Sequence, residues 1–237
     1  MLPILYQDAH LIAIDKPAGL LVHRTGLDAG ETRFAVQLLR DQIGQPVWPV
    51  HRLDKGTSGV LLFALDADTA SATSSLFASN GKIRKRYLAM VRGWPPEAGR
   101  IDHPLKRMLD DARRASSATE VQDAVTHFQR LSTYALPIPY GAFSQTRCAL
   151  VALTPETGRR HQLRRHCKHL SHPILGDATH GKGPLNRDVA NWVGMQRLWL
   201  HAQSLRLPHP WRAEVLEIDA HCGPEWQRWN AARVDGA

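Results

Sequence analysis

The sequence predicts an α+β fold: a mixed, mostly antiparallel sheet with flanking helices. Three observations carry this expectation. Short apolar or alternating stretches recur along the chain, amphipathic helical stretches are few, and the connections between them are brief. No internal repeat, low-complexity tract or linker interrupts the 237 residues, so a single domain over 1–237 is expected, with 232–237 as a flexible tail.

Taken in order, residues 3–6 and 10–14 read as strands around the turn Gln7-Asp8-Ala9. Residues 16–19 form a turn in which Pro17 fixes the backbone and Gly19 frees it. Thr32 is placed to cap a helix that runs to Ile43, with Phe34, Leu38, Leu39 and Ile43 on one face and Gly44 ending it. Val60–Leu65 is an almost wholly apolar strand. A second helix spans 67–79, burying Ala70, Leu76 and Phe77, and Asn80-Gly81 closes it. Residues 83–93 alternate as a strand, with Tyr87, Ala89 and Val91 on one face. The polar stretch 103–120 reads as a surface loop. Strands follow at 124–131 and 146–155, joined through a loop at 136–145 that contains proline and glycine. Residues 158–170 read as a basic helix and 177–194 as irregular. Three closing strands, at 196–201, 203–207 and 213–219, precede a short tryptophan-bearing helix at 224–232.

Composition narrows the partner. Lys and Arg number 30 against 22 Asp and Glu, a net charge of +8, with a pI near 9.8. That balance favours a polyanion, nucleic acid before an anionic membrane surface. The three cysteines, Cys148, Cys167 and Cys222, are odd in number and form no CxxC pair, which fits a reducing cytoplasm. The N-terminus lacks the pattern of a signal peptide, and no apolar run approaches the roughly 18 residues of a membrane span.

Three constellations carry chemistry. The first is HRLDKGTSGVLLFAL at 51–65. A carboxylate, Asp54, stands behind Arg52 and before a loop that leads into a buried strand. It is placed to act as nucleophile or base, and the same residue types also organise ordinary turns. The second is GRRHQLRRHCKH at 158–169, where no acid appears between Gly158 and Gly176. At helical spacing Arg160 and Arg164 share a face while Leu163 and Leu170 point inward. A face of one sign suits phosphates better than a solvated face of mixed charge. The third is Lys82, Arg84, Lys85, Arg86 and Tyr87, basic residues interleaved with an aromatic. His161, His166, His169 and His172 do not form HExxH and lie among arginines, so no metal is expected. The seven tryptophans, Trp192 and Trp199 among them, are read mainly as packing residues.

DKPAG (15–19), HRLDKGTSGVLLFAL (51–65), KRYLAMVRG (85–93), TGRRHQLRRHCKHLSHPILGD (157–177) and LHAQSLRLPHP (200–210) stand in this order. Together they resemble the RluA-type pseudouridine synthases, over roughly residues 4–219. DQIGQPVWPVHRLD (41–54) and AVTHF (124–128) look most like members that act on tRNA without an N-terminal RNA-binding extension, although members acting on ribosomal RNA share the core motifs.

The resemblance implies isomerisation of a uridine in RNA to pseudouridine. By similarity Asp54 is the catalytic carboxylate, Tyr87 sits against the target uracil and can serve as the base, and Arg164 pairs with Asp54. Arg52 fills the space left by the flipped nucleotide. His51, Lys82, Lys85, Arg86, Arg159, Arg160, His161 and Arg165 complete the expected RNA contacts. An Asp with its ordinary pKa of about 3.9 is ionised at pH 7. It can attack the ribose anomeric carbon or the uracil ring, or abstract a ribose proton, and the sequence leaves all three open. Since the reaction involves neither redox nor phosphoryl transfer, no cofactor, metal or nucleotide is expected. The implied partner is tRNA, with ribosomal RNA the alternative. A cytoplasmic monomer is expected, and a non-catalytic RNA-binding role is the rival reading.

Overall fold

The computed structural model describes residues 1–23, 30–79, 81–108 and 120–234. In chain order the elements begin with β1 (Ile4–Gln7), β2 (Leu11–Lys16), α1 (Ala35–Ile43), β3 (Trp48–Pro49), β4 (Ser58–Ala64) and α2 (Ala67–Ala78). Then come β5 (Arg84–Arg92), β6 (Ala98–Asp102), β7 (Leu105–Lys106), β8 (Val121–Gln122), β9 (Val125–Leu136), β10 (Thr146–Pro155) and α3 (Gln162–His169). The chain closes with α4 (Gly183–Val193), β11 (Leu200–Pro208), β12 (Val215–Asp219), a 3-10 helix (Pro224–Ala232) and β13 (Arg233–Val234). This is the expected α+β class, with strand pairing mostly antiparallel. The chain divides into two compact units: Met1–Lys85, Lys106–Gln122 and Ala202–His221 form the first, Arg86–Leu105, Asp123–His201 and Cys222–Ala237 the second.

In the first unit β4 is buried along its whole length, which is why it reads as an unbroken apolar run rather than an alternating one. It pairs with β2 from Leu11↔Ala64 to Lys16↔Gly59. Leu11, Ala13, Val60, Leu62, Leu205, Leu207, Leu216 and Ile218 share one core. Helix α1 starts at Ala35, after Phe34, and no side chain caps it. Thr32 is therefore not its cap, while Gly44, at φ 73°, ends it as its position predicts. Asp66 caps α2 by accepting the N–H of Thr69 at 2.7 Å. The fully buried side of α2 carries Thr69 and Thr73, and Ala70 and Phe77 pack beside the core. Asn80 lies outside the described residues. The ends of the expected loop 103–120 are paired as β7 and β8, with Arg107 and Glu120 bonded at 2.7 Å; residues 109–119 lie outside the described residues.

In the second unit β10 pairs with β5 and with β9, and β6 and β13 add to β9. Tyr87, Ala89 and Val91 face one core with Val151, Leu153, Leu163 and Cys167. Three expectations fail here. Residues 183–193, read as irregular, form α4, whose buried side is Leu185, Val189 and Val193. The region of three closing strands holds two, β11 and β12. Arg233 and Val234, expected in a flexible tail, pair with Tyr134 and Thr133. The segment 224–232 is helical, as a 3-10 helix.

Candidate active site

Asp54 stands half-buried on the loop before β4, and its carbonyl accepts the N–H of Thr57 at 3.0 Å to close a turn. The next residue is held from behind. The Lys55 carbonyl accepts the Gly19 N–H at 2.8 Å and the Lys16 Nζ at 3.2 Å. Lys16 is fully buried, and its ammonium also donates to the carbonyls of Pro17 at 2.9 Å and Leu20 at 2.7 Å. A buried cation is tolerated only when so satisfied. The turn at 16–19 and the Asp54 loop are thus one hydrogen-bonded assembly. The Lys55 side chain reaches Glu31 at 2.6 Å.

His51 is turned to internal use. Its Nε2 accepts the N–H of Leu62 at 3.0 Å, and its ring stacks on Phe77 at 4.8 Å. Burial, together with the charge of Lys85, pushes its pKa down to about 3. The ring is therefore neutral at physiological pH and offers no cation to a phosphate, as the RNA-contact expectation would require. Arg52 and Lys82 are exposed, while Lys85 is half-buried and its pKa is lowered by burial.

In the second unit Arg86 is exposed and Tyr87 half-buried near the start of β5, where Tyr87 pairs with Leu153. The loop before α3 is organised by Gln162. Its Oε1 accepts the Arg159 N–H at 2.9 Å and the Thr157 hydroxyl at 2.8 Å. Its Nε2 donates to the Val125 carbonyl at 2.9 Å and Thr126 Oγ1 at 3.0 Å. His161 has a left-handed backbone at φ 53°, so the helix begins at Gln162 rather than at 158. His161 Nδ1 and His180 Nε2 lie 3.1 Å apart, and Arg159 Nε donates to the Asp123 carbonyl at 3.0 Å. Arg160 and Arg165 are half-buried.

Arg164 is buried, and its fork meets Asp177 through Nε to Oδ2 and Nη2 to Oδ1, both at 2.8 Å. Asp177 Oδ1 also accepts the N–H groups of Thr179 and His180 at 2.9 Å each. Burial alone would raise the pKa of Asp177; the bonds from Arg164, His180 and Thr179 outweigh it and hold the carboxyl below its ordinary value. The resemblance gave Arg164 only Asp54 as partner, and Asp177 was missed. The signal for it was present: it is the first acid after the long basic stretch and closes HPILGD. Lys16 and Gln162, both inside quoted motifs, were likewise not recognised as supports. His166 is also a support, bonding Thr126 Oγ1 at 2.9 Å and the His103 carbonyl at 3.0 Å.

A carboxylate on a clamped loop in the first unit, and in the second a half-buried tyrosine and a basic helix whose central arginine is locked by an acid, are parts of an RNA-modifying enzyme of the RluA type. The chain belongs to the RNA pseudouridylate synthase family, whose model matches residues 10–169. It is an RNA pseudouridine synthase. It is 51% identical over 229 residues to tRNA pseudouridine synthase C of Vibrio cholerae, covering 96% of this chain and 93% of that one. It is also 51% identical to the protein of the same name from Haemophilus ducreyi, covering 95% and 93%. Among solved structures, human RNA pseudouridylate synthase domain containing 4 superposes with a TM-score of 0.69 at 31% identity, covering 96% of this chain and 93% of that one. Human RNA pseudouridylate synthase domain containing 1 superposes at 0.72 with 27% identity, covering 94% and 84%.

Proposed function

We propose that this enzyme isomerises a uridine of tRNA to pseudouridine, at position 65 where the T-stem meets the acceptor stem, with Asp54 as its catalytic carboxylate. The observation that carries the chemistry is the fixed Asp54 loop, held through Lys55 by Lys16 and Gly19. A pinned loop presents its carboxylate in one direction and loses little freedom on meeting substrate. The tRNA substrate is supported by relatives of that name at half identity over nearly the full chain.

In this reading the target nucleotide is flipped out of its helix at a cost of a few kcal/mol, which phosphate contacts and stacking offset. Arg52, exposed and planar at its tip, fills the gap. The Asp54 carboxylate starts the reaction at the ribose or at the uracil ring. The bond from ribose C1′ to uracil N1 breaks, the base turns, and C1′ bonds to C5. The proton on C5 leaves to a base, the role given to Tyr87, and N1 regains a proton, so atoms and electrons balance without a cofactor. Arg164, locked by Asp177, is proposed to keep Asp54 ionised and aimed. Lys82, Lys85, Arg86, Arg159, Arg160, His161 and Arg165 supply the contacts around the substrate, and the enzyme acts as a cytoplasmic monomer.

The test has two arms. Asp54→Asn is expected to abolish pseudouridine formation while leaving RNA affinity within several-fold, because an amide is neither nucleophile nor base. Turnover near wild type would overturn the assignment. Mapping pseudouridines in cellular RNA with and without the protein should show loss at tRNA position 65. Loss confined to ribosomal RNA would overturn the choice of substrate.

A further inference from the structure

We propose that the end of the β5–β10 ladder remote from Tyr87 is a second RNA-contact surface, which stacks an unpaired base on Phe143 and takes adjacent phosphates on Arg147 and Arg92. This rests on the reading of RNA as substrate, and every residue involved belongs to the second unit.

The ladder runs from Tyr87↔Leu153 to Arg92↔Cys148. Five residues at about 3.4 Å each place its far end about 17 Å from Tyr87. There Gly93, at φ 78°, donates its N–H to the Arg147 carbonyl at 2.6 Å, so the two strand ends are tied together. The Arg147 guanidinium lies over the Trp94 ring at 4.4 Å, and that of Arg92 over the Tyr140 ring at 5.7 Å. Arg92 also donates to the Tyr140 hydroxyl at 3.3 Å and the Ser171 carbonyl at 3.1 Å. Trp94 is itself anchored through its indole N–H to the Tyr134 carbonyl at 3.1 Å.

Beside them Tyr140 and Phe143 exchange backbone hydrogen bonds of 2.9 and 3.1 Å across Gly141-Ala142. Gly141 takes φ 59°, the conformation such a tight turn needs. The turn holds Phe143 out at 73% exposure, next to exposed Ser144 and Gln145. A single exposed phenylalanine is ordinary on a protein surface. What distinguishes this one is its electrostatic setting. The sequence has no acid between Asp123 and Glu156. Among the described residues neither Arg92 nor Arg147 has a carboxylate at ion-pair distance.

An arginine laid on an aromatic ring keeps its N–H fork free at the edges and has already lost much of its side-chain freedom. It therefore binds a phosphate at a smaller entropic cost than a loose lysine. A free aromatic face beside such cations is how unpaired nucleotides are held, since every base has a face to stack and a phosphate to neutralise. A protein or membrane partner would call for a wider apolar patch than one ring among serine, glutamine and arginine. The occupant is thus a part of the substrate RNA away from the reacting nucleotide.

The experiment uses the full chain and a tRNA transcript. Phe143→Ala and Arg147→Gln are each expected to raise KM and Kd by at least about fivefold with kcat unchanged, since a stacked base contributes a tenfold or larger factor at full strength. Phe143→Trp, which keeps a stacking face, is expected to bind like wild type. Arg147→Gln should also lower the log–log salt slope by about 0.7–0.9, one phosphate contact. Variants within twofold of wild type in KM and slope would overturn the surface while wild-type turnover still upheld the function. If wild type modifies no RNA, it is the functional reading that fails. If Phe143→Trp loses as much affinity as Phe143→Ala, stacking on this residue is refuted.

Discussion

Arg164 and Asp177 face each other through two parallel hydrogen bonds of 2.8 Å, thirteen positions apart in the chain, and the Asp177 side chain is fully buried. This is the bidentate geometry that only arginine can make with a carboxylate.

Three substitutions test it. Arg164→Met leaves a buried carboxylate without its cation and should cost about 3–5 kcal/mol of stability. Arg164→Lys keeps the charge and loses the fork; turnover should fall at least about tenfold, roughly 1.4 kcal/mol of barrier. Arg165→Lys, one position on and only half-buried, should change turnover little. Turnover and melting temperature measured in parallel decide the matter. If Arg165→Lys proves damaging and Arg164→Lys silent, the wrong arginine has been placed at the reaction.

His51 predicts a pH dependence. Burial and Lys85 push its folded pKa to about 3, below the usual value of about 6.5. The unfolded chain therefore binds the proton first. The stabilisation from neutral His51 is complete above about pH 6.5 and is lost progressively as pH falls toward 3. Gln can present an acceptor where Nε2 now meets Leu62 and does not titrate. The loss of melting temperature between pH 7 and pH 4 should be smaller in His51→Gln than in wild type. Parallel curves would show that His51 is not the group responsible.

Gly59 has φ 107°, and a Cβ built on it would lie 2.1 Å from the Ala202 carbonyl oxygen. Both the backbone angle and the space exclude a side chain. Gly59→Ala should lower stability by several kcal/mol or prevent folding, whereas Gly30→Ala, with open space around it, should be nearly neutral. Thermal melts of the two variants give the comparison, and equal melting temperatures would contradict it.

Salt dependence reports on the basic helix. Replacing Arg160 and Arg165 by Gln should reduce the log–log slope of tRNA affinity by about 0.7–0.9 for each phosphate contact removed, without changing which uridine is modified. A titration of affinity against salt measures it, and an unchanged slope would mean that these two side chains do not meet phosphate.

What could be read from sequence depended on whether the signal was local. Strand β10 is found at 146–155 as expected, because a long apolar run of β-branched and small residues needs little help from elsewhere. Helix α4 was missed although Pro184 and Gly194 mark its ends; its buried residues, Leu185, Val189 and Val193, are diluted by Asn, Arg and Asp on the other sides. The start of α3 was placed four residues early because nothing in GRRHQ announces the left-handed His161. That conformation accompanies the bonds Gln162 makes to β9 and the contact with His180.

The sequence by itself determined the fold class, the family and the carboxylate, since ordered motifs and apolar periodicity are properties of neighbouring residues. Tertiary structure alone decided how the charged and polar groups are used. Lys16 became a buried clamp, His51 a neutral brace, and Arg164 the partner of Asp177. A polar side chain's role depends on what desolvates it and which partners reach it from distant parts of the chain, and that is settled only when the elements pack.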